Sequence, residues 1–430
     1  MNLYCFSIEH SNGNWNNEKL YLIKKKITMI PTFEETFTLA KSNYVKAFGK
    51  EPEIAACAPG RVNLIGEHID YNDGFVLPMA LPMVTIIVGG KNGTESTVDL
   101  VTTCEGADLP KRDLFDTKNL VPSFPKWSNY VKGVLACYGQ PVPGFNALIA
   151  TNVPVGGGLS SSAALEVSTL TFIEQLTGKY IESEANKALI CQKAEHTFAG
   201  MPCGIMDQFI SVAGRKSNAL LVDCRSLETF QIPFETNDLA ILICNSNVRH
   251  ELSDSEYPTR RNQCAKALNL MGLKSYRETK EEHLSALNGA GNEILFKRAR
   301  HVITEIKRTL EAAEALKNQD FEKMGTLMTE SHTSLRDDFE VSCRELDVLV
   351  NSAINCSGVL GSRMTGGGFG GCTVTLLRKD SVQSVMEKMQ EDFEKECKSD
   401  SHKPNKNNKN RHKVDFYVCE PSDGTRVLQV

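Results

Sequence analysis

Apolar residues follow two patterns along the chain, and each pattern predicts its own kind of element. A recurrence every three to four positions predicts helices at 33–48, 160–176, 184–199 and 381–396. Short apolar runs predict buried strands at 54–58, 76–88, 144–151, 239–244, 372–377 and 414–419. The charged stretch 258–357 is predicted to be rich in amphipathic helices. This mixture indicates an α/β or α+β protein.

The chain has 430 residues, which is long for one hydrophobic core and predicts two domains. We expect a variable tail at 1–30, an N-terminal domain at 31–220 and a C-terminal domain at 221–430. Within the last, the run K-S-D-S-H-K-P-N-K-N-N-K-N-R-H-K at about 398–413 is entirely polar. Such a run cannot bury a core, so it predicts a disordered surface loop.

Composition and charge narrow the class of partner. Hydrophobic residues make up 41% of the chain, and its net charge of −5 offers no positive field for nucleic acid or an anionic membrane. The fourteen cysteines are scattered without a C-x-x-C spacing, a usage typical of the reducing cytosol. No apolar run approaches the ~18 residues of a membrane span, and 1–29 lacks the apolar segment of a signal peptide. We therefore expect a cytoplasmic protein that acts on small molecules, with no nucleic-acid or membrane partner.

The segment P-V-G-G-G-L-S-S-S-A-A at 154–164 joins a predicted strand to a predicted helix. Glycine lets the backbone approach a ligand closely, and the free N–H groups at a helix N-terminus attract an anion. The segment is therefore predicted to hold phosphate groups. It is not a Walker A loop, because 154–176 contains no lysine. The alternative is a flexible turn with an ordinary serine cap.

A second glycine cluster, G-G-G-F-G-G at 366–371, matches the G-x-G-x-x-G pattern of dinucleotide-binding folds. That pattern requires a helix after the glycine turn, whereas C-T-V-T-L at 372–376 predicts a strand. Hydride chemistry is therefore rejected. We expect this loop to close against a ligand, and a purely structural turn is the alternative.

Polar side chains crowd the loop A-P-G-R-V-N-L-I-G-E-H-I-D-Y-N-D-G at 58–74, which lies between two apolar runs. Arg61, Glu67, His68 and Asp70 lie within ten positions of one another. Carboxylates and an imidazole can recognise the hydroxyl groups of a sugar, and an arginine can pair with phosphate oxygens. The alternative is a solvated loop with one arginine–carboxylate pair.

Four single residues complete the candidates. Asp207, in G-I-M-D-Q-F, is a carboxylate in an apolar neighbourhood, which indicates a cap, an ion pair or a functional site. Glu195, near the end of a predicted helix, could reach a magnesium ion or could lie on the helix surface. Trp127 and Tyr257 could contact ligands, although single aromatic residues more often belong to a core.

Three motifs occur in an order that is typical of one family. They are R-V-N-L-I-G-E-H-I-D-Y-N-D-G from Arg61, the G-G-G-L-S-S-S-A-A loop, and G-S-R-M-T-G-G-G-F-G-G-C from Gly361. Together they resemble the GHMP small-molecule kinases over about residues 33–390. The first motif, with A-E-H-T-F-A-G-M-P-C-G-I-M-D-Q-F and N-V-R-H-E-L-S-D-S-E-Y-P-T-R-R, is similar to the galactokinases within that group. The resemblance implies an α+β, two-domain GHMP kinase fold with the active site in the cleft between domains.

The resemblance also implies an activity and its sites. The reaction would be ATP-dependent phosphorylation of the C1 hydroxyl of galactose to galactose 1-phosphate, the entry step of galactose catabolism. Arg61 and Asp207 would be catalytic and would flank that hydroxyl. The other sugar hydroxyls would contact Glu67, His68, Asp70, Gly204 and Tyr257. ATP would contact Gly156, Gly157, Gly158, Ser160, Ser161 and, near the adenine, Trp127. Mg²⁺ would be held by Ser162 and Glu195. We expect galactose and ATP as partners and a monomer or weak homodimer.

Two alternatives remain open at this point. A related kinase would act on N-acetylgalactosamine, although Asn72-Asp73-Gly74 after Asp70 resembles the galactose type. A non-catalytic sensor would bind galactose and ATP without turnover. Fungal sensors of that kind have a disturbed serine-alanine part of the phosphate loop, whereas S-S-S-A-A at 160–164 is intact. Whether Asp207 acts as a base or as an orienting acceptor is also open.

Overall fold

The computed structural model describes residues 30–235, 237–249, 253–289, 291–399 and 413–430. They form two compact units. The first unit comprises Ile30–Arg61, Met79–Lys216 and Pro421–Val430, and the second comprises Val62–Pro78 and the described part of Ser217–Glu420. The unit changes after Lys216, and the segments 62–78 and 421–430 each belong to the unit whose other residues lie on the far side of that position. The predicted division into domains at 31–220 and 221–430 stays a prediction. The predicted tail and most of the predicted polar loop lie outside the described residues.

The helices and strands follow one another throughout the described chain. In chain order they are α1 (Phe33–Phe48), β1 (Ile54–Asn63), β2 (Phe75–Val76), β3 (Pro78–Lys91), β4 (Thr97–Thr102), β5 (Arg112–Asp116), α2 (Ser128–Cys137), β6 (Phe145–Thr151), α3 (Ser161–Thr177), α4 (Glu184–Ala194), α5 (Met206–Ala213), β7 (Asn218–Asp223), β8 (Thr229–Pro233), β9 (Leu239–Arg249), α6 (Ser253–Leu270), α7 (Glu293–Lys317), α8 (Phe321–Ser334), α9 (Arg344–Ile354), β10 (Val359–Thr365), β11 (Gly370–Arg378), α10 (Val382–Ser399), β12 (Asp415–Cys419) and β13 (Arg426–Leu428).

The first unit is built on a six-stranded sheet with the order β13-β1-β3-β6-β4-β5. Strands β4 and β6 are parallel, whereas β1–β13, β3–β6 and β4–β5 are antiparallel. Residues of β1 alternate between two cores: Ala55 and Cys57 pack with α1, and Ala56 and Ala58 pack with α2 and α3. Because both faces of β1 are covered, its sequence is a nearly continuous apolar run.

The second unit contains two antiparallel sheets, with the orders β10-β11-β9-β12 and β2-β7-β8. Leu349 of α9 and Met386 of α10 share one buried cluster with Leu242 of β9 and Val418 of β12. The two helices therefore cover the four-stranded sheet. None of the described helices is both long enough and apolar enough to cross a membrane.

Helix α7 is the longest described helix and carries unusual polar residues on its buried face. Arg298, His301, Glu305 and Thr309 are all buried, and their spacing of three to four residues places them on one side of the helix. Buried polar groups of this kind need hydrogen-bond partners. Some of these partners belong to the polar loop that carries Glu67 and His68.

The structure confirms the predicted helix at 33–48 and extends several predicted strands. Strands β1 and β9 run on to Asn63 and Arg249. The predicted strand at 76–88 is two strands, and Pro82 lies inside β3. The predicted helix at 184–199 is α4 followed by a π-helical turn at Glu195–Ala199. The sequence patterns did not predict β4, β5, α2, α5, β7, β8, β10 or β13.

Candidate active site

In the first unit, the glycines of 154–164 form the turn between β6 and α3. Gly156 and Gly158 have φ values of 76° and 74°, in the left-handed region that glycine adopts without strain. A Cβ atom at either position would meet no described atom within 4 Å. Backbone conformation, and not crowding, therefore requires glycine here. Gly156 and Gly158 are exposed, whereas Gly157 is buried.

Ser160 is the N-cap residue of α3, yet its side chain does not cap the helix. Its backbone is left-handed, with φ 59° and ψ 47°, and its hydroxyl donates a hydrogen bond to Asp207 Oδ2. The first N–H groups of α3, which include those of Ser161 and Ser162, therefore receive no cap from Ser160. Such N–H groups and the helix dipole favour a bound anion. The predicted contact of this turn with phosphate groups stays a prediction.

Arg61 connects this turn to Asp207. Its Nε and Nη2 atoms donate to Asp207 Oδ1 and Oδ2 at 2.7 Å and 2.8 Å, and its Nη1 donates to the carbonyl of Gly158 at 2.6 Å. The Arg61 side chain is 6% exposed and that of Asp207 is 24% exposed. Asp207 also stands in the first turn of α5, where a negative charge is favoured by the helix dipole. The ion pair therefore fixes a partly accessible carboxylate beside the glycine–serine turn.

Glu195 opens the π-helical turn after α4 and is buried. Burial, and then the charge of Asp207, raise the pKa of Glu195 to about 7, while the Ser162 hydroxyl hydrogen-bonds to the carboxylate. The two residues predicted to hold Mg²⁺ are therefore in contact. Gln208, which the sequence analysis missed, donates from Nε2 to Glu195 Oε2 at 2.6 Å and to Glu166 Oε2 at 3.1 Å.

The remaining predicted residues of the first unit lie in different settings. Trp127 is 7% exposed and belongs to the core cluster of α2 and α3. Its indole N–H donates to the carbonyl of Pro110 at 3.0 Å. Its predicted contact with adenine stays a prediction. Gly204 is buried in the loop that leads into α5.

In the second unit, Glu67 is held by groups of its own unit. Its Oε2 atom accepts from Asn63 Nδ2 at 2.7 Å and lies 2.6 Å from Arg363 Nη2. Its Oε1 atom accepts from the N–H of Gly366 at 2.9 Å. Glu67 is 2% exposed and Arg363 is fully buried. The second glycine cluster therefore contacts Glu67 through its first residue, Gly366. Its predicted closure against a ligand stays a prediction.

His68 has a left-handed backbone, with φ 62°, and both of its ring nitrogens have partners. Nε2 lies 3.2 Å from the carbonyl of Gly367, and Nδ1 lies 2.8 Å from the hydroxyl of Tyr71. A carbonyl only accepts, so Nε2 carries the proton and Nδ1 accepts from Tyr71. Burial, and then the nearby His301, lower the pKa of His68 to about 3, which keeps the ring neutral at physiological pH.

Tyr257 and Asp70 stand beside this histidine. The ring centroids of Tyr257 and His68 are 5.4 Å apart, and those of Tyr257 and Tyr71 are 5.3 Å apart. Asp70 Oδ1 accepts from the N–H of Tyr71 at 3.0 Å. The second unit therefore brings His68, Asp70 and Tyr257 together, with Tyr71 as a further member. Their predicted contacts with sugar hydroxyls stay predictions.

Three family models match the chain. The galactokinase galactose-binding signature matches residues 42–91, the GHMP kinases N-terminal domain matches 129–215, and the GHMP kinases C-terminal model matches 312–395. The first covers the loop that carries Arg61, Glu67, His68 and Asp70. The second covers the glycine–serine turn and Asp207.

Whole-chain comparisons agree with these models. The chain is 50% identical to the galactokinase of Homo sapiens over 403 residues, which are 93% of this chain and 98% of that protein. It is 44% identical to a galactokinase of Haemophilus influenzae over 392 residues, 88% of this chain and 95% of the relative. Among solved structures, Lactococcus lactis galactokinase complexed with galactose has a TM-score of 0.83 and 32% identity, covering 91% of this chain and all of that one. The chain therefore belongs to the galactokinase family and has the α+β fold of the GHMP kinases.

Proposed function

We propose that this chain phosphorylates the C1 hydroxyl of galactose with ATP, yielding galactose 1-phosphate and ADP. The observation that carries the proposal is the Arg61–Asp207 ion pair, which contacts the glycine–serine turn through Gly158 and Ser160. It places a carboxylate that can accept a proton directly beside a turn that can hold a triphosphate. Membership of the galactokinase family selects the sugar.

The reaction needs few bonds to change. The C1 oxygen forms a bond to the γ-phosphorus, the bond from that phosphorus to the β–γ bridging oxygen breaks, and the hydroxyl proton passes to Asp207. A carboxylate has about four acceptor sites, and Arg61 and Ser160 donate to three of them. The remaining site is on Oδ1 and is available to the sugar hydroxyl. Phosphoryl transfer proceeds through a loose transition state, so orientation and charge neutralisation provide most of the catalysis.

We infer a Mg²⁺ site at Ser162 and Glu195. Hydroxyl and carboxylate oxygens are ligands that Mg²⁺ prefers, and it commonly binds through one or two carboxylates together with substrate phosphates. The described residues contain no group of three His, Cys, Asp or Glu side chains suited to a metal ion, which fits a cation held largely by ATP. Bound there, Mg²⁺ would offset charge on the β- and γ-phosphates.

We assign the other sugar hydroxyls to Glu67, His68, Asp70, Gly204 and Tyr257, the roles that the resemblance implies for them. Glu67 contributes mainly through its position, because Asn63, Arg363 and Gly366 already occupy both of its oxygens. We also infer a reducing, cytoplasmic setting, because the described cysteines are free thiols, and a monomer or weak homodimer.

The proposal is tested by measuring ADP release with galactose, with N-acetylgalactosamine and without sugar. We expect release that depends on galactose and is much slower with N-acetylgalactosamine. Equal or faster release with N-acetylgalactosamine would identify the related kinase instead. Binding of galactose and ATP without ADP release would identify a sensor.

A further inference from the structure

Two buried residues of α7 contact the backbone of the polar loop at 62–74, which we call the sugar loop because sugar binding is predicted for it. His301 Nε2 lies 3.1 Å from the carbonyl oxygen of Glu67, and Glu305 Oε1 accepts from the N–H of Gly66 at 3.0 Å. Both side chains are fully buried. They stand four positions apart, so they project from the same face of the helix. One helical turn of α7 therefore holds the loop backbone on both sides of the peptide that joins Gly66 to Glu67.

The contact of His301 has a definite direction. Because a carbonyl cannot donate, Nε2 carries the proton, and Nδ1 accepts from the hydroxyl of Ser334 at 2.9 Å. The bond to Glu67 restrains the peptide plane that precedes His68. His68 is held in the left-handed region, which a side chain other than glycine occupies only when its surroundings compensate for the strain.

Glu305 is itself fixed by its neighbours. Arg308 Nε donates to its Oε2 at 2.8 Å, and the Ser331 hydroxyl donates to its Oε1 at 2.5 Å. Gly66 has φ 102°, and a Cβ atom there would lie 2.7 Å from the carbonyl of Phe75 and 3.0 Å from Thr309 Oγ1. The close approach of the loop to α7 therefore depends on glycine at position 66.

A second link joins His301 to His68 through an aromatic ring. The centroid of Phe339 lies 4.5 Å from that of His301 and 4.9 Å from that of His68. Phe339 is fully buried. The imidazole of His68 is thus located both by the backbone that precedes it and by a ring that packs on His301.

We propose that His301 and Glu305 are positioning residues for sugar binding, which hold the Gly66–Glu67 backbone and thereby orient His68. Neither residue needs to contact the sugar. The expected change in the KM for galactose rests on the proposed function. The expected protection of the loop amides from hydrogen exchange does not depend on any activity.

The test compares two substitutions of the same histidine. In His301→Asn the amide group lies near the place of Nδ1, so it can keep the Ser334 contact but cannot reach Glu67. In His301→Gln the longer side chain can return an N–H donor to the place of Nε2. We expect His301→Asn to raise the KM for galactose roughly tenfold, the effect of leaving a buried carbonyl unpaired, with the KM for ATP unchanged. His301→Gln should restore most of the loss.

Amide exchange is measured on the same variants without ligand. Peptides that cover 62–69 should exchange faster in His301→Asn than in the wild type or in His301→Gln. Equal changes in both variants, or a KM for ATP that rises together with the KM for galactose, would show a general packing role and overturn the inference. If His301→Asn does not fold, Glu305→Asp, which is too short to reach Gly66 but can keep Arg308, should show the same two effects. A wild type without galactose turnover would reject the proposed function, and the exchange result would then decide the positioning role alone.

Discussion

Replacing Asp207 with asparagine keeps the size of the side chain and removes its charge. In the wild type, Arg61 donates to both oxygens of Asp207, and Ser160 donates to one of them. Asparagine offers one acceptor oxygen and an NH₂ group, so one donor of Arg61 must face another donor. Losing a hydrogen bond of a charged group costs about 1.5–3 kcal/mol. Because the Asp207 side chain is 24% exposed, water reduces that cost, and we expect roughly 1–2 kcal/mol.

The effect on catalysis should be larger than the effect on folding. A positioned proton acceptor contributes about 10²–10⁴-fold to the rate, which corresponds to roughly 3–5 kcal/mol of activation free energy. We therefore expect Asp207→Asn to fold, to bind galactose and ATP, and to lose most of its kcat. The assays are kcat at saturating substrates, calorimetric titration of each substrate, and thermal unfolding.

Ser211→Ala is the matched control for this substitution. Ser211 stands one turn after Asp207 on α5, is buried, and donates to the carbonyl of Pro59 at 2.8 Å. Its loss should lower the Tm by a similar amount and leave kcat close to that of the wild type. If Asp207→Asn kept a kcat within about tenfold of the wild type, below the usual contribution of an acid–base group, Asp207 would not be the proton acceptor.

Two further predictions concern the phosphate turn and the buried histidines. Gly158→Ala forces alanine into a left-handed conformation at a cost of about 1 kcal/mol, and should raise the KM for ATP. The matched control is Gly178→Ala at the other end of α3, where φ is 68° and an added Cβ would meet no described atom within 4 Å. This variant should lower the Tm by a similar amount and leave the KM for ATP unchanged. Equal KM values for ATP in the two variants would contradict the assignment of the glycine–serine turn to ATP. Burial is the main cause that lowers the pKa values of His68 and His301 in the folded chain, to about 3 and about 4. In the unfolded chain a histidine has a pKa of about 6.5. As the pH falls below that value, these two histidines are therefore protonated in the unfolded chain but stay neutral in the folded one. The free energy of unfolding should therefore be fully present above about pH 6.5 and decline towards pH 4, by roughly 2 kcal/mol per histidine at pH 5. Denaturant titrations that give the same free energy of unfolding at pH 7 and pH 5 would contradict this.

Local chemistry explains which parts of the site could be predicted from the sequence. The glycine–serine turn depends on residues that are adjacent in the chain, so its conformation follows from glycine and from a helix start. The polar loop around Glu67 and His68 is conspicuous for the same reason, since its charges interrupt apolar runs.

Residues whose role depends on distant partners could not be recognised in this way. Glu67 meets Arg363 and Gly366 about 300 positions later in the chain, and no periodicity encodes that pairing. His301 is an ordinary helical residue until the loop is placed against it. Gln208 gave a weak signal, as a polar residue beside Asp207 in an apolar segment. Strand β5 was missed because it is an exposed edge strand with few apolar residues.

We propose that the phosphoryl group reaches the anomeric oxygen of galactose at the site that contains Arg61 and Asp207. Phosphorus NMR of a reaction with galactose and ATP, run with the wild type and with Asp207→Asn, tests it most directly. We expect the wild type to form a sugar 1-phosphate in equal amount to ADP, and Asp207→Asn to form almost none. A phosphate ester at another hydroxyl, or inorganic phosphate in place of an ester, would contradict it.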